Sequence, residues 1–300
     1  MTTAASTPSA SRLPRSARQL IAFLLIVLAI LVVWEGAKYL GGDPWRADSN
    51  PFGIEHRPPF RVKVLSDLNL PHVWSIIEAF GNPARRNGPP LVQILFDAAV
   101  YTFREAFAGF VIGGLLGFLL GAIFAHVRLF ERGCMPYVVA SQTVPIIAIA
   151  PMVIIWLKAG WISVAVISAY LTFFPVTINT LRGLKSPDPT QLELMHSFAA
   201  STWTIMWKLR FPAALPYIFT SLKVSATTSV VGAIIGELPS GIRQGLGGAI
   251  LNFNQYYISG PGRLWATIIV SALVGIFFFI LVALVERLVL SGRYPKTEIS

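Results

Sequence analysis

The sequence predicts an all-α integral membrane protein with six transmembrane helices and a cytoplasmic helix-bend-helix segment. Only 13% of its 300 residues are charged while 54% are hydrophobic, against about 25% charged in soluble domains, and the mean hydropathy is +0.65. Apolar runs long enough to cross a bilayer core of about 30 Å recur along the chain. One polar stretch, Asp188 to Pro216, lies between two of these runs and carries helix-start and bend signals of its own.

Residues 1–18 are rich in Ser, Thr, Ala and Pro, carry Arg12, Arg15 and Arg18, and contain no acidic residue. That composition reads as a disordered cytoplasmic tail. A signal peptide is the competing reading. The run from Leu20 to Leu40 is of spanning length, however, and no small-residue cleavage pattern follows it, so residues 19–40 are expected to be a retained first span. Trp34 and Trp45 suit the outer interface, while Glu35 and Lys38 blur the end of the span. Residues 41–90 form a polar, proline-rich external loop. Within it Val73, Ile76, Ile77 and Phe80 recur at helical spacing, which predicts a short amphipathic helix over Pro71 to Phe80.

Residues 91–290 are expected to form a five-helix core. An amphipathic lead-in, Leu91 to Phe103, precedes the second span, Ala106 to Ala125. There Gly109, Gly113, Gly117 and Gly121 fall on one stripe that lets a neighbouring helix approach closely. A charged turn, His126 to Arg132, leads to the third span, Met135 to Trp156. Pro145 and Pro151 should kink or break it, leaving Gln142 and Thr143 and the freed carbonyls to face a cavity. Lys158-Ala159-Gly160 reverses the chain into the fourth span, Ile162 to Thr180, which contains Pro175. The fifth span, Ala213 to Ile235, carries a small, weakly polar stripe of Ser225, Ser229, Gly232 and Gly236. Helix packing is the preferred reading of that stripe, with pathway lining by Ser225 and Ser229, and by Glu237 beyond them, as the alternative. A glycine-rich outer loop, Glu237 to Gly262, precedes the sixth span, Leu264 to Val285, and residues 291–300 form a second cytoplasmic tail.

The net charge of +10 fits a membrane protein with a basic cytoplasmic side better than a nucleic-acid binder, because no basic stripe interleaved with stacking aromatics is present. Six spans place both termini on one side. That side collects Arg12, Arg15, Arg18, Arg128, Arg132, Arg182, Lys185, Lys208, Arg210, Lys223, Arg287, Arg293 and Lys296, whereas the opposite short loops hold Lys158, Arg243 and Arg263. Both termini and the polar stretch are therefore expected in the cytoplasm. Cys134 is alone, and His56, His72, His126 and His196 are too dispersed for a metal motif. No nucleophile with its base, carboxylate pair or phosphate-binding loop is evident, so no catalytic residue, cofactor site or metal site is assigned. Arg104, Glu105, Lys223 and Glu237 all fall near predicted span ends, leaving the span centres without ionisable groups, which argues against an ion-coupled transporter.

The polar stretch has its own grammar. Asp188 reads as an N-cap, Pro189 as the first helical residue and Gln191 as the partner in a capping box. Ala199-Ala200-Ser201-Thr202 supplies small residues and a second cap. A second helix is expected from Trp203 to Phe211, with Pro212 interrupting it and returning the chain to the bilayer.

This stretch resembles the cytoplasmic motif of membrane subunits of bacterial binding-protein-dependent ABC importers: Glu-Ala-Ala, three residues, Gly, nine residues, Ile-x-Leu-Pro. Glu193-Leu194-Met195, Ala199 at the glycine place, and Leu209-Arg210-Phe211-Pro212 match its spacing with conservative rather than strict identities. The likeness extends from about Leu68 to Leu290, through Asn69-Leu70-Pro71, Phe174-Pro175 and Gly236-Glu237, and is similar to the nitrate, sulfonate and taurine branch. Ser229 to Pro239 looks most like members linked to heterocyclic solutes such as pyrimidine vitamin precursors or riboflavin. The resemblance implies a permease subunit of an ATP-driven importer in the inner membrane. It implies a second permease copy forming a homodimer, two cytoplasmic ATPase subunits that bind ATP and magnesium, and a periplasmic or lipid-anchored solute-binding protein. Glu193, Leu194, Met195, Ala199, Leu209, Phe211 and Pro212 would then couple the permease to the ATPase. A sulfonate, nitrate or heterocyclic vitamin precursor would be the solute. An ion-coupled secondary transporter and a membrane scaffold are the competing functions.

Overall fold

The computed structural model describes residues 15–47, 50–51, 53–84, 88–158 and 160–291. The expected tails lie outside them up to residue 14 and from residue 292, while Arg15 to Arg18 already form the start of the first helix. Five helical segments among the described residues are long and apolar enough to cross a membrane: 21–41, 91–126, 161–184, 202–240 and 261–290. Two shorter helices, 128–141 and 146–157, bent by 99° at the break between them, bring the number to six when the pair is counted as one span. The chain divides into two compact units, residues 1–79 and 80–300.

In the first unit α1 (Arg15–Gly41) leaves its apolar middle bare, with Val33 70% exposed, as a lipid-facing helix should. Its last two turns are different. Lys38, with no exposed surface, reaches Asp67 Oδ1 at 2.6 Å and the Leu70 carbonyl at 2.5 Å. Glu35 accepts from His72 Nδ1 and from the Val73 N–H, both at 2.7 Å. Trp34 Nε1 donates to the Pro71 carbonyl at 3.1 Å. The charges that blurred the end of the span thus clamp the segment from Asp67 to Val73 onto it, and Glu35 satisfies one orphan donor at the start of α2 (Val73–Gly81). His56 stacks on Tyr39 and His72 on Trp74, with ring centroids 3.7 and 3.9 Å apart.

The second unit is built on α3 (Leu91–His126), α6 (Trp161–Leu184) and α9 (Phe211–Ser240). The lead-in and second span are one continuous 36-residue helix, because no glycine or proline between Phe103 and Ala106 breaks it. A Cβ on Gly109, Gly117 or Gly121 would stand 2.6 Å from the α6 carbonyls of Ala165, Phe173 and Thr177, and one on Gly113 would strike Ala169. The glycine stripe is therefore the surface on which α3 and α6 touch backbone to backbone. On its other side α6 meets the small stripe of α9. Ser168 donates to the Ser229 carbonyl at 2.8 Å and Ser225 to the Thr172 carbonyl at 3.3 Å. Ala106, Val164, Ala226, Val230 and Ala233 form the core with Phe278 and Val282 of α11 (Pro261–Leu290). Phe103 and Phe110 meet Phe278 edge-on at 5.1 and 4.9 Å.

The charged turn expected at His126 to Arg132 contracts to Val127, and α4 (Arg128–Ser141) starts at once, tied to the end of α6 by Lys185 and Glu131 at 2.6 Å. Before α5 (Ile146–Leu157) the helix breaks at Pro145, which supplies no N–H and disfavours helical geometry at Val144. Tyr170 donates to the freed Ser141 carbonyl at 2.6 Å. Lys158 at φ 59 and Gly160 at φ 149 carry the reversal that follows. The outer loop also differs from expectation. α9 runs on to Ser240, and the glycine-rich stretch folds into α10 (Leu246–Gln255).

Candidate functional site

The polar stretch emerges where α3 and α6 end and α9 begins. Leu184, Ala214 and Ile218 pack there against Phe118, Ala122 and Ala125. Asp188 caps α7 (Pro189–Ser197) by accepting the Thr190 N–H at 2.8 Å. That bond holds its carboxyl below the usual carboxylate value, so the cap persists above that range and is lost as pH falls through it. Gln191 takes part through its backbone, its N–H donating to the Asp188 carbonyl at 3.0 Å.

The helix ends in a two-bond αL motif. Ala199 N–H donates to the His196 carbonyl at 2.9 Å and Ala200 N–H to the Met195 carbonyl at 3.1 Å, with Ala199 at φ 50. This is the Schellman arrangement, in which the left-handed residue is ordinarily glycine. Alanine at the glycine place keeps the bend at a cost of about 1–2 kcal/mol. Ala199→Gly is expected to recover about 1 kcal/mol, read as roughly fivefold slower hydrogen exchange at the Ala200 amide; faster exchange would contradict the motif.

Ser201 caps the next turn by accepting the Thr204 N–H at 3.2 Å. α8 (Thr202–Ile205) then runs through a π turn, Met206–Arg210, directly into α9. Pro212 therefore does not interrupt the helix. It lacks the N–H that Lys208 would receive, and the wider π turn gives its ring room. Glu193, Leu194 and Ala199 are exposed, whereas Met195, Leu209, Phe211 and Pro212 are half-buried. Phe211 packs beside Trp207 with ring centroids 5.1 Å apart. Leu194, Phe198 and Trp203 are 58%, 76% and 70% exposed, a run of large apolar surface in an otherwise polar segment, as at a docking surface.

At the other end of α9 a second constellation gathers residues distant in sequence. Gly245, the N-cap of α10, has no side chain to cap with. Its role is taken from outside the helix: Leu246 N–H donates to Thr102 Oγ1 at 2.8 Å and Gly247 N–H to Glu237 Oε2 at 2.5 Å. Thr102 in turn donates to Glu237 Oε1 at 2.6 Å. A Cβ at Gly245 would collide with the Glu237 carboxyl and one at Gly247 with the Ile234 carbonyl, so glycine is required at both. Glu105 lies beside Glu237, buried within α3 rather than at the end of a span. Sequence spacing gave no hint of this node, since Thr102 and Glu237 are 135 residues apart. Beside it a cavity of about 1180 Å³ is lined by Tyr101, Arg243, Asn252, Gln255, Tyr256 and Arg263, among others.

The residues considered for pathway lining separate into two places. Gln142 and Thr143 are exposed at the break between α4 and α5. Ser225 and Ser229 have no exposed surface and bond backbone carbonyls at or within the α6–α9 interface, and Glu237 is the enclosed cap of α10. Among the described residues no cluster of three His, Cys, Asp or Glu side chains stands ready for a metal.

Residues 113–291 match the family described as binding-protein-dependent transport system inner membrane component. The formylaminopyrimidine transport permease protein ThiX of Halalkalibacterium halodurans is 34% identical over 90% of this chain and 94% of its own length. The riboflavin transport system permease protein RibX of Chloroflexus aurantiacus is 30% identical over 65% and 72%, and a putative aliphatic sulfonates transport permease protein of Bacillus subtilis is 30% identical over 74% and 83%. Among solved structures, an amino acid ABC transporter crystallised with histidines superposes with a TM-score of 0.55 at 15% identity, covering 65% of this chain and 94% of that one; at that identity the likeness concerns the fold. With apolar, glycine-packed spans, an exposed helical bend between two of them, and these relatives, the chain belongs to the binding-protein-dependent inner membrane components, the permease subunits of ABC importers.

Proposed function

We propose that this permease subunit carries a small heteroaromatic solute and receives its energy through the α7-bend-α8 segment. The single observation that carries the coupling reading is the Schellman bend at Ala199. It presents Glu193 and Leu194 on a short helix without buried side chains, and Phe198 at its end, as exposed groups in the stretch that joins α6 to α8 and α9. A push on that segment is transmitted without a break, because α8 and α9 form one 39-residue helical path. Glu193, Leu194, Met195, Ala199, Leu209, Phe211 and Pro212 are its coupling residues, and ATP and magnesium belong to the partner ATPase. A second copy of the chain completes the pathway, with Gln142 and Thr143 at the α4–α5 break lining it. Both termini face the cytoplasm by the distribution of Lys and Arg.

The solute class is supported by two relatives named for formylaminopyrimidine and riboflavin. Tyr101, Tyr256, Asn252 and Gln255 in the outer cavity offer ring faces and amide hydrogen bonds to such a molecule. Vesicles holding the permease with its ATPase and binding protein are expected to accumulate a pyrimidine or flavin solute only when ATP is supplied. Accumulation by the permease alone under a proton or sodium gradient would contradict the coupling. ATP-driven accumulation confined to sulfonates or nitrate would contradict the solute class and leave the coupling standing.

A further inference from the structure

α1 ends with its last four carbonyls engaged. The Gly42 N–H donates to the Lys38 carbonyl at 2.8 Å, and the Phe60 and Val62 N–H groups donate to the Leu40 and Gly41 carbonyls at 3.2 and 2.9 Å. His56 Nε2 stands 2.8 Å from the Tyr39 carbonyl, which only accepts, so the ring carries its proton there. The orphan acceptors of the helix C-terminus are thereby met by protein donors rather than by water, as suits a helix that stops at a membrane boundary. The same bonds fix a position. Residues 56–62 are held at the level where the membrane-length helix 21–41 ends.

That segment is neither buried nor simply polar. Phe60 and Val64 are 68% and 71% exposed, and Val62 between them is exposed as well. Phe60 and Val62 share one face, because the backbone at Val62 is extended, with φ −107 and ψ 115. Tyr39 and Leu40, also exposed, carry the apolar surface on from the bare flank of α1. Arg57, Arg61 and Lys63 are interspersed with these residues, and no acidic residue lies between His56 and Val64. All three cations are exposed, and among the described residues none has a carboxylate within ion-pair distance. In the same unit Asp67 is held by Lys38, Glu35 by His72 and Asp43 by the Asp67 N–H. The rings of Tyr39, Trp45, His56, His72 and Trp74 adjoin one another at centroid distances of 3.7 to 5.8 Å, a gathering of amphipathic rings of the kind that settles at headgroup depth. Water would suit the three cations and leave the apolar strip bare. A surface of anionic headgroups suits both, and lies where the end of a span puts the strip.

We propose that residues 57–64 are an interfacial anchor for anionic phospholipid on the membrane face at which α1 ends. Phe60, Val62 and Val64 enter the boundary between headgroups and acyl chains, and Arg57, Arg61 and Lys63 hold headgroup phosphates. The anchor sets the depth of the first span. It depends neither on which solute is carried nor on how the permease is energised.

Depth measurement on the full-length permease in lipid nanodiscs tests this. The one native thiol, Cys134, is exposed and is replaced by Cys134→Ser; a nitroxide is then placed on Val64→Cys, with Val33→Cys on the bare flank of α1 as the reference for the bilayer interior. Access to oxygen relative to a water-soluble nickel complex reads the depth. In discs containing anionic phospholipid the label at position 64 is expected to favour oxygen, at a level between the reference and water. It should move toward water in zwitterionic phospholipid alone, and equally in a chain that also carries Arg57→Gln, Arg61→Gln and Lys63→Gln. Inorganic phosphate added to the zwitterionic discs should not restore the depth. A label open to the nickel complex in every lipid would overturn the anchor. So would a label shielded from both reagents, which would place the strip against protein, whether another part of the chain or a second copy. Equal depth in the two lipid compositions would remove the role of the cations, and recovery with inorganic phosphate would make the site one for a free anion; either result overturns the proposal. Should the triple variant fail to accumulate, the two lipid compositions decide on the chain with its native charges.

Discussion

Replacing Gly113 by valine is expected to abolish accumulation of folded permease, whereas Gly275→Ala on α11 leaves it unchanged. A Cβ at Gly113 would lie 2.9 Å from the Cα and carbonyl carbon of Ala169 and closer still to its oxygen. All three are backbone atoms, which cannot swing aside as a side-chain end does. In lipid no hydrophobic gain draws two helices together, so α3 and α6 are held by close van der Waals contact. Valine would force them apart along the whole stripe, because Gly109, Gly117 and Gly121 meet α6 in the same register. Overpacking of this kind costs about 1–3 kcal/mol at sites where side chains adjust, and the backbone contact puts Gly113 at the upper end. The Gly275 position opens onto free space, and alanine there gains helix propensity. The recovery of monodisperse full-length chain in detergent, with its thermal midpoint, measures both variants; equal recovery would contradict the packing.

The features that were legible in the sequence are those written as local periodicity or local punctuation. Span-length apolar runs gave the membrane fold, a four-residue glycine period gave one face of α3, and Pro145 marked the break. Asp188-Pro189 announced one helix start and the Ala199-Ala200-Ser201-Thr202 run a second, which the structure assigns to Ser201 as cap, one residue before the expected place. What escaped reading is assembled from distant positions. Glu35 and Lys38 looked like charges that spoil the end of a span, and only the fold shows them holding Asp67, His72 and Val73. Glu105 and Glu237 looked like separate residues at span ends. Their meeting depends on α3 being one helix through Phe103 and Arg104 and on α10 folding back to place its N-terminus over Glu237. The glycines after Glu237 read only as a loop, whereas Gly245 and Gly247 are small because a carboxylate and a carbonyl occupy the space a Cβ would take. Pro212 misled in a different way, because a single π turn lets the helix pass it.

The second large effect concerns the bend itself. Ala199→Pro fixes φ near −65° where the structure needs 50°, and it removes the N–H that closes the bond to His196. The strain and lost bond amount to about 3 kcal/mol or more, enough to unmake a motif held by two hydrogen bonds on an exposed segment. Glu193→Ala at the same time removes the exposed carboxylate presented by α7. The spans do not rely on either residue, so the permease should still fold and assemble with its ATPase. Coupling alone should fail. ATP hydrolysis by the reconstituted importer, stimulated by solute-loaded binding protein and compared between wild type and the Glu193→Ala, Ala199→Pro double variant, is the most direct measurement of the central claim. Hydrolysis in the variant is expected to drop to the unstimulated rate with subunit stoichiometry intact, and stimulation persisting at the wild-type level would contradict the account.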